Sequence, residues 1–238
     1  MLAELQKSIF QIPINSTDII IKVGDLLLRE IIPEDKMLAI KIAERVGDRS
    51  ENFYKFAKGG GEVEELFWRA TQTRFATPRV SLELAITRQN DSDKIIGFAI
   101  GLAASKEEQK DWLGKPAYVN LGYVVDPLYQ RQKIAITATI GLSEFWFRLG
   151  YKSVSLTVHP NNISLIRCAE KIGLKCYGDM QISHYGDGQP RKVFTGTRRD
   201  LILKPGNSEI MNSTKICGLS LASQIGTRLS QQQIKDKK

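Results

Sequence analysis

The sequence predicts one domain of α+β class (α/β mixed sheet), a central twisted mixed β-sheet of about seven strands flanked by about four helices. Three observations carry that expectation. Residues 118–125 read as a strand, 133–149 as a long helix and 153–158 as a strand. Such a βαβ unit crosses over right-handed and sets its two strands side by side in parallel. Apolar runs joined by short turns stand on both sides of that unit and pair as antiparallel hairpins, so the sheet is mixed. Finally, 238 residues at 42% hydrophobic composition supply one core without disulfides or metal.

Each element follows from its residues. Residues 18–23 and 25–31 are rich in Ile, Leu and Val, with Gly24-Asp25 as the turn. Pro33 sits where a helix begins, followed by Glu34 and Asp35 in the first turn, where the dipole favours acids. Met37, Ile40, Ala43 and Val46 are its expected apolar face. After the break at 59–61, Val63, Leu66, Phe67 and Ala70 recur at the helical period. Residues 82–87 and 95–102 form a hairpin across the polar loop 89–94, and 106–115 is a charged insertion. In the long helix Ala138, Leu142, Phe145 and Leu149 make one buried stripe. Residues 153–158 alternate strictly: Val154, Leu156 and Val158 on one face, Ser153, Ser155 and Thr157 on the other. A helix over 162–172 is closed by Gly173 at the position a C-terminal cap prefers, and 175–185 and 191–203 are the last two strands.

Composition narrows the function classes. The cysteines Cys168, Cys176 and Cys217 have no metal-type spacing, and with only two histidines, His159 and His184, no metal site is expected. No apolar run approaches the ~18 residues that span a bilayer, so a cytoplasmic protein without membrane contact is the expectation. Net charge is +8. Beyond residue 203, six Lys or Arg face Glu209 and Asp236, giving +4 in a polar tail. That tail lacks aromatics for base stacking, which argues against nucleic acid as a partner. Three segments are expected: an N-terminal arm (1–16), a domain (17–203) and a basic C-terminal tail (204–238), with a marginal helix over 220–234.

The stretch LGYVVDPLYQRQKIA, then a helix, then SLTVHPNNISLIRCAEKIGL resembles the GNAT acetyltransferase superfamily. It is most similar to the branch that acetylates ribosomal-protein N-termini. The specific part covers residues 121–174, and the element order extends the match over about 25–203. The resemblance implies a GNAT-like acyltransferase with acetyl-CoA as acyl donor. The loop Gln130, Arg131, Gln132, Lys133, Ile134, Ala135 opens a helix, and a helix N-terminus offers unpaired N–H groups and a positive dipole end to a pyrophosphate. By resemblance, Val124 and Val125 bond the pantetheine arm through their backbone, one of their N–H groups stabilises the oxyanion, and Asn162 contacts the arm besides capping its helix.

Three positions depart from the family pattern. Lys133, and with it Arg131, stands where the family has Gly: either the two cations pair with the pyrophosphate or a side chain fills its place. Asn120 replaces a Glu proposed to activate the amine through water, and an amide cannot accept a proton. Leu165 replaces a hydroxyl residue proposed to protonate the leaving thiolate, with Ser164 one place off. Asn120 and Ser164 remain the candidate catalytic positions. His159 reads as a structural kink, His184 and Tyr185 as exposed hairpin residues bordering the acceptor, and Cys168 as a small core residue. The implied reaction is direct acetyl transfer to a primary amine, on a protein N-terminus or a small molecule. The alternative is an acyl-CoA-binding sensor or scaffold that has lost catalysis. Oligomeric state and acceptor stay open.

Overall fold

The computed structural model describes residues 19–46, 61–74, 81–103, 118–180 and 190–217. The strands are β1 (Ile20–Val23), β2 (Leu26–Glu30), β3 (Ser81–Arg88), β4 (Gly97–Ala103), β5 (Tyr118–Val125), β6 (Ser153–Val158), β7 (Lys175–Met180), β8 (Arg191–Thr197) and β9 (Lys215–Cys217). They make one nine-stranded sheet in the order β7-β8-β6-β5-β4-β3-β2-β1-β9. Every pair is antiparallel except β5 with β6, the parallel pair set by the βαβ crossover. The sheet exceeds the expected seven strands because Gly24, at φ +57, splits the first apolar run into two strands, and because β9 adds to the edge of β1.

The helices are α1 (Lys36–Val46), entered through a 3-10 turn at Pro33–Asp35, α2 (Gly61–Arg74), α3 (Ile134–Arg148), α4 (Ile163–Lys171), α5 (Arg198–Ile202) and α6 (Asn207–Ser213). They cover both faces of the sheet. Leu142, Phe145 and Trp146 of α3, Ala169 of α4, Leu201 and Met211 pack with Leu28, Leu84, Leu121, Val154 and Leu156 on one face. Ala39, Ile42, Ala43, Val46, Val63 and Leu66 pack with Ala85, Phe98 and Val124 on the other. With both faces covered, all of β3 is buried up to Thr87, including Glu83, which accepts a hydrogen bond from the Ser81 hydroxyl.

Three expectations need correction. Met37 is 63% exposed. Counting back from Val46 at the helical spacing lands on Ala43, Ile42 and Ala39, which form the buried stripe instead of Met37 and Ile40. The last strand ends at Thr197, not 203, because Thr197 and Asp200 form a reciprocal capping box that starts α5. The sheet also reaches Cys217, where the sequence placed a tail from residue 204: Met211 is fully buried, and β9 pairs with β1. The arm 1–16, the insertion 106–115, His184, Tyr185 and the helix at 220–234 lie outside the described residues. Among the described residues, no helix is long and apolar enough to cross a membrane, and no group of His, Cys, Asp and Glu could hold a metal ion.

α3 lies close against the sheet at Gly101, where an added Cβ would fall inside the indole of the fully buried Trp146. Gly101→Ala should therefore destabilise the fold by about 1–3 kcal/mol, the usual range for overpacking a core. A urea midpoint that drops at unchanged slope is the expected result, and an unshifted midpoint would show that the indole can move aside.

Candidate active site

β5 and β6 share hydrogen-bonded register over only four residues each, Tyr118↔Ser153 to Leu121↔Leu156. Beyond that point they part. β5 stays paired with β4 as far as Val125↔Gly97, and β6 stays paired with β8 through Val158↔Lys192. Each strand is thus held straight by its outer neighbour while the inner edges open as a wedge. Gly122, the first residue of β5 past the last shared pair, leaves the wedge clear on the α1/α2 face: a Cβ there would meet nothing within 4 Å. Val124 is buried against α1 and α2, and Val125 packs against the α3 side.

At the wide end the chain turns into α3. Asp126 is buried and accepts from Arg45 Nε (3.0 Å) and Nη2 (2.6 Å) as well as from the Leu128 amide (3.1 Å). The hydrogen bond to Asp126 holds the Arg45 guanidinium above its ordinary value. Lys94 stands 5.5 Å from the ring centre of Tyr129. Arg88, paired with Asp25, donates to Gln132 Oε1 at 2.7 Å. Between these anchors Arg131 and Lys133 adopt φ values of 64° and 60°. That is the left-handed region, where a side chain costs about 1–2 kcal/mol per residue and glycine costs nothing extra. The loop therefore keeps a glycine backbone with cationic side chains on it. Both side chains are exposed, and neither has an ion-pair or hydrogen-bond partner among the described residues. Lys133 gives α3 no side-chain cap, and the first helical bond runs from Thr137 N to Lys133 O (2.9 Å). The amides of Ile134, Ala135 and Ile136 precede it and face out of the helix end.

The remaining candidates divide. Asn120 lies one pair before the parting, where its Oδ1 accepts from Ser155 Oγ (3.5 Å) and Thr157 Oγ1 (3.4 Å), which ties β5 to β6. Asn162 Oδ1 caps α4 by accepting from Leu165 N at 3.0 Å. Ser164 is exposed on α4. His159 Nδ1 accepts from Asn161 N at 3.1 Å, which fits the structural kink. The sequence reading passed over Tyr123. It projects from the parted stretch of β5 onto the face of α3 and α4, and its hydroxyl donates to the Cys168 thiol of α4. Burial first, then the charge of the Cys168 thiol and last the bond to it, push the phenol far above its ordinary value, and burial also raises Cys168 while the Tyr123 bond partly offsets this. Only the alternation of β5 hinted at this contact, since it puts Tyr123 on the helix side.

The sequence matches an acetyltransferase (GNAT) domain model over residues 25–175. This chain belongs to the GNAT acetyltransferase family. Solved GNAT structures share its fold. An acetyltransferase of the GNAT family from Bacillus anthracis superposes with a TM-score of 0.60 at 15% identity, covering 76% of this chain and 99% of that one. The ribosomal α-N-protein acetyltransferase RimL, in complex with coenzyme A, gives 0.58 at 15% identity over 75% and 97%. AAC(6')-Ib, in complex with ribostamycin and coenzyme A, gives 0.58 at 17% identity over 74% and 96%. Among curated proteins, none matches the sequence.

The loop generates its own test. Lys133→Gly should raise folding stability by up to about 1 kcal/mol, the relieved left-handed strain less the entropy that glycine adds to the unfolded chain. Lys133→Ala keeps the Cβ and should stay near the parent. Equal stabilities for the parent, Gly and Ala forms would mean that the loop carries no strain at this position.

Proposed function

We propose that this chain transfers an acetyl group from acetyl-CoA to a primary amine, with an N-terminal α-amine as the favoured acceptor. The observation that supports this most is the wedge itself: a strand edge without an inner partner, leading from an uncapped helix start to the clear space above Gly122. An extended arm with amide groups adds to such an edge as a further strand would. The pyrophosphate suits the amides of Ile134, Ala135 and Ile136, with Arg131 and Lys133 beside it as charge-assisted donors from Arg131-Gln132-Lys133. Gln130 extends the same loop, Asn162 borders the arm from the start of α4, and a backbone N–H of Val124 or Val125 polarises the acyl carbonyl.

When bound, acetyl-CoA supplies the activated acyl carbon. The chain's part is to hold that carbon beside a neutral amine and to exclude alternatives. Asn120 orders the point of parting and takes no proton. RimL's α-N-protein acceptor and the ribostamycin of AAC(6')-Ib represent the two acceptor kinds, peptide N-terminus and small amine. The tied amide of Asn120 and the exposed Ser164 favour a second reading, an acyl-CoA-binding sensor without turnover.

Acetyl-CoA should raise the melting temperature, by about 2.7 kcal/mol of stabilisation at a hundredfold excess over its Kd. Replacing Arg131 and Lys133 together by Ala should weaken it and flatten the salt dependence, because two screened phosphate contacts are lost. No calorimetric signal at millimolar coenzyme A would remove the reading.

The amine's own titration should govern the rate. An α-amine of pKa about 8 is partly neutral at pH 7, whereas a lysine side chain of about 10.4 is almost wholly charged. Rate against pH for an N-terminal peptide and for a lysine peptide should rise until each amine is titrated, with the α-amine ahead at neutrality. A plateau near pH 7 for both would reveal a base in the protein, and turnover from neither, with cofactor bound, would select the sensor.

A further inference from the structure

At the end of β6 away from the wedge, a shallow pocket of about 190 Å³ is lined by Ser153, Lys175, Tyr177, Thr195, Thr197 and Asp200 among others. The unusual member is Ser153. It is 3% exposed, and among the described residues its hydroxyl has no hydrogen-bond partner. A buried hydroxyl left unbonded costs roughly 1–3 kcal/mol, so native proteins rarely keep one without a use.

Its neighbours are all engaged. Ser155 Oγ shares its proton between Val119 O (3.4 Å) and Asn120 Oδ1 (3.5 Å), Thr195 Oγ1 donates to Val154 O (3.2 Å) and Thr197 Oγ1 to Asp200 Oδ2 (2.6 Å). Among the described hydroxyls in this row on adjacent strands, Ser153 is left over. The charges lining the pocket cancel: Lys175 Nζ donates to Asp200 Oδ1 at 2.8 Å. That bond first, then those from the Thr197 hydroxyl and amide, hold the Asp200 carboxyl well below the usual carboxylate range. An anion entering here would meet the Asp200 carboxylate, and a cation would meet the Lys175 ammonium. The volume is below the roughly 300 Å³ at which pockets for whole small molecules begin, so it suits a group rather than a molecule.

We infer that this pocket takes a neutral hydrogen-bonding group, a carboxamide or hydroxyl, carried by the distal part of the acceptor. The acceptor assignment rests on the transferase reading; the binding of a neutral polar group does not. Ser153, Ser155 and Thr157 share the face of β6 on which Asn120 and the clear space above Gly122 lie. From Ser153 to Leu156, the last residue paired with β5, is three steps along the strand, roughly 10 Å at about 3.3 Å per residue. An acceptor with its amine at the parting thus reaches the pocket with about three extended residues. A peptide-like acceptor spans that distance, and a lone small amine does not.

The test uses the full chain and acetamide as the probe, with acetate and ethylammonium as charged controls. Acetamide should shift the amide resonances of Thr195 and Thr197 saturably and in preference to both ions. Ser153→Ala should weaken it about three- to tenfold, the loss expected for one neutral hydrogen bond. The same variant should match or exceed the parent in folding stability, since it deletes an unbonded hydroxyl; a merely structural serine would give the opposite sign. Shifts that ignore Ser153, or an ion that binds better, would leave only a water-filled depression and overturn the inference. In the transfer assay acetamide should raise the KM of a peptide acceptor but not that of acetyl-CoA. Ser153-dependent binding without that competition would overturn the acceptor assignment. Binding without any turnover would remove the transferase reading and the acceptor assignment with it, while keeping the pocket as a ligand site.

Discussion

The separation of β5 from β6 after Leu121 and Leu156 is the constraint around which the site is arranged. Two strands side by side normally satisfy one another's backbone groups, and buried groups left unpaired are costly. Here the separation survives because each strand has an outer neighbour that holds it extended, β4 for one and β8 for the other. The Asn120 amide bridges to Ser155 and Thr157 just where the pairing ends. Gly122 contributes by lacking a side chain, so the first parted residue leaves space on the α1/α2 face. On the opposite face Tyr123 reaches from β5 to Cys168 of α4, so one face of the wedge is roofed, while on the other the position of Gly122 is clear among the described residues.

The same constraint explains why the loop into α3 can carry strain. Arg131 and Lys133 sit in a backbone conformation that favours glycine, yet the segment is held on three sides. Arg45 of α1 grips Asp126, Arg88 of β3 grips Gln132, and Lys94 lies over Tyr129. Local strain persists where surrounding contacts over-determine the geometry. The exchange of glycine for cations therefore trades backbone ease for positive charge at a helix end that is already positive. On the transferase reading that charge would face the pyrophosphate, with the two cations as its partners rather than as plugs.

Legibility followed the range of the interactions. β5 and β6 matched their sequence bounds, and α3 and α4 came within a residue or two at each end, because period and capping are local signals. Gly173 closes α4 at φ +95, as its position suggested. α5 was missed although Thr197-x-x-Asp200 announces it, since the apolar run through Leu203 read as a longer strand. β9 was missed because three residues of mixed character carry no pattern of their own and become a strand only by pairing with β1. In the site, alternation placed Ser153, Ser155 and Thr157 on one face, but which of the three goes unbonded depends on Asn120 and β8, elements distant in sequence. Tyr123 and Cys168 were each visible, and their contact was not.

The distribution of protons around the wedge bears on which amine the site would accept. On the α4 side Tyr123 keeps its proton across the working range, since burial holds the phenol far above its ordinary value. That one proton is donated to Cys168, so the phenol is a donor already engaged. On the other side the polar group closest to the parting is Asn120, an amide already engaged by two hydroxyls. The buried carboxylate of Glu83 lies on that same face, but its strand is separated from Gly122 by β4. In register, Ile100 stands between Glu83 and Gly122, and two inter-strand spacings make roughly 10 Å between backbones. Direct proton transfer over that distance does not occur, and the Glu83 carboxylate is occupied by the Ser81 hydroxyl. On the transferase reading, the amine must then arrive neutral, because the chain offers a donor already engaged by Cys168 on one side and no free acceptor on the other among the described residues. An α-amine meets that condition at neutral pH far more often than an alkyl amine does. The same asymmetry would let a sensor hold the cofactor without consuming it, so the two readings differ only in whether a neutral amine of the right length reaches the space above Gly122.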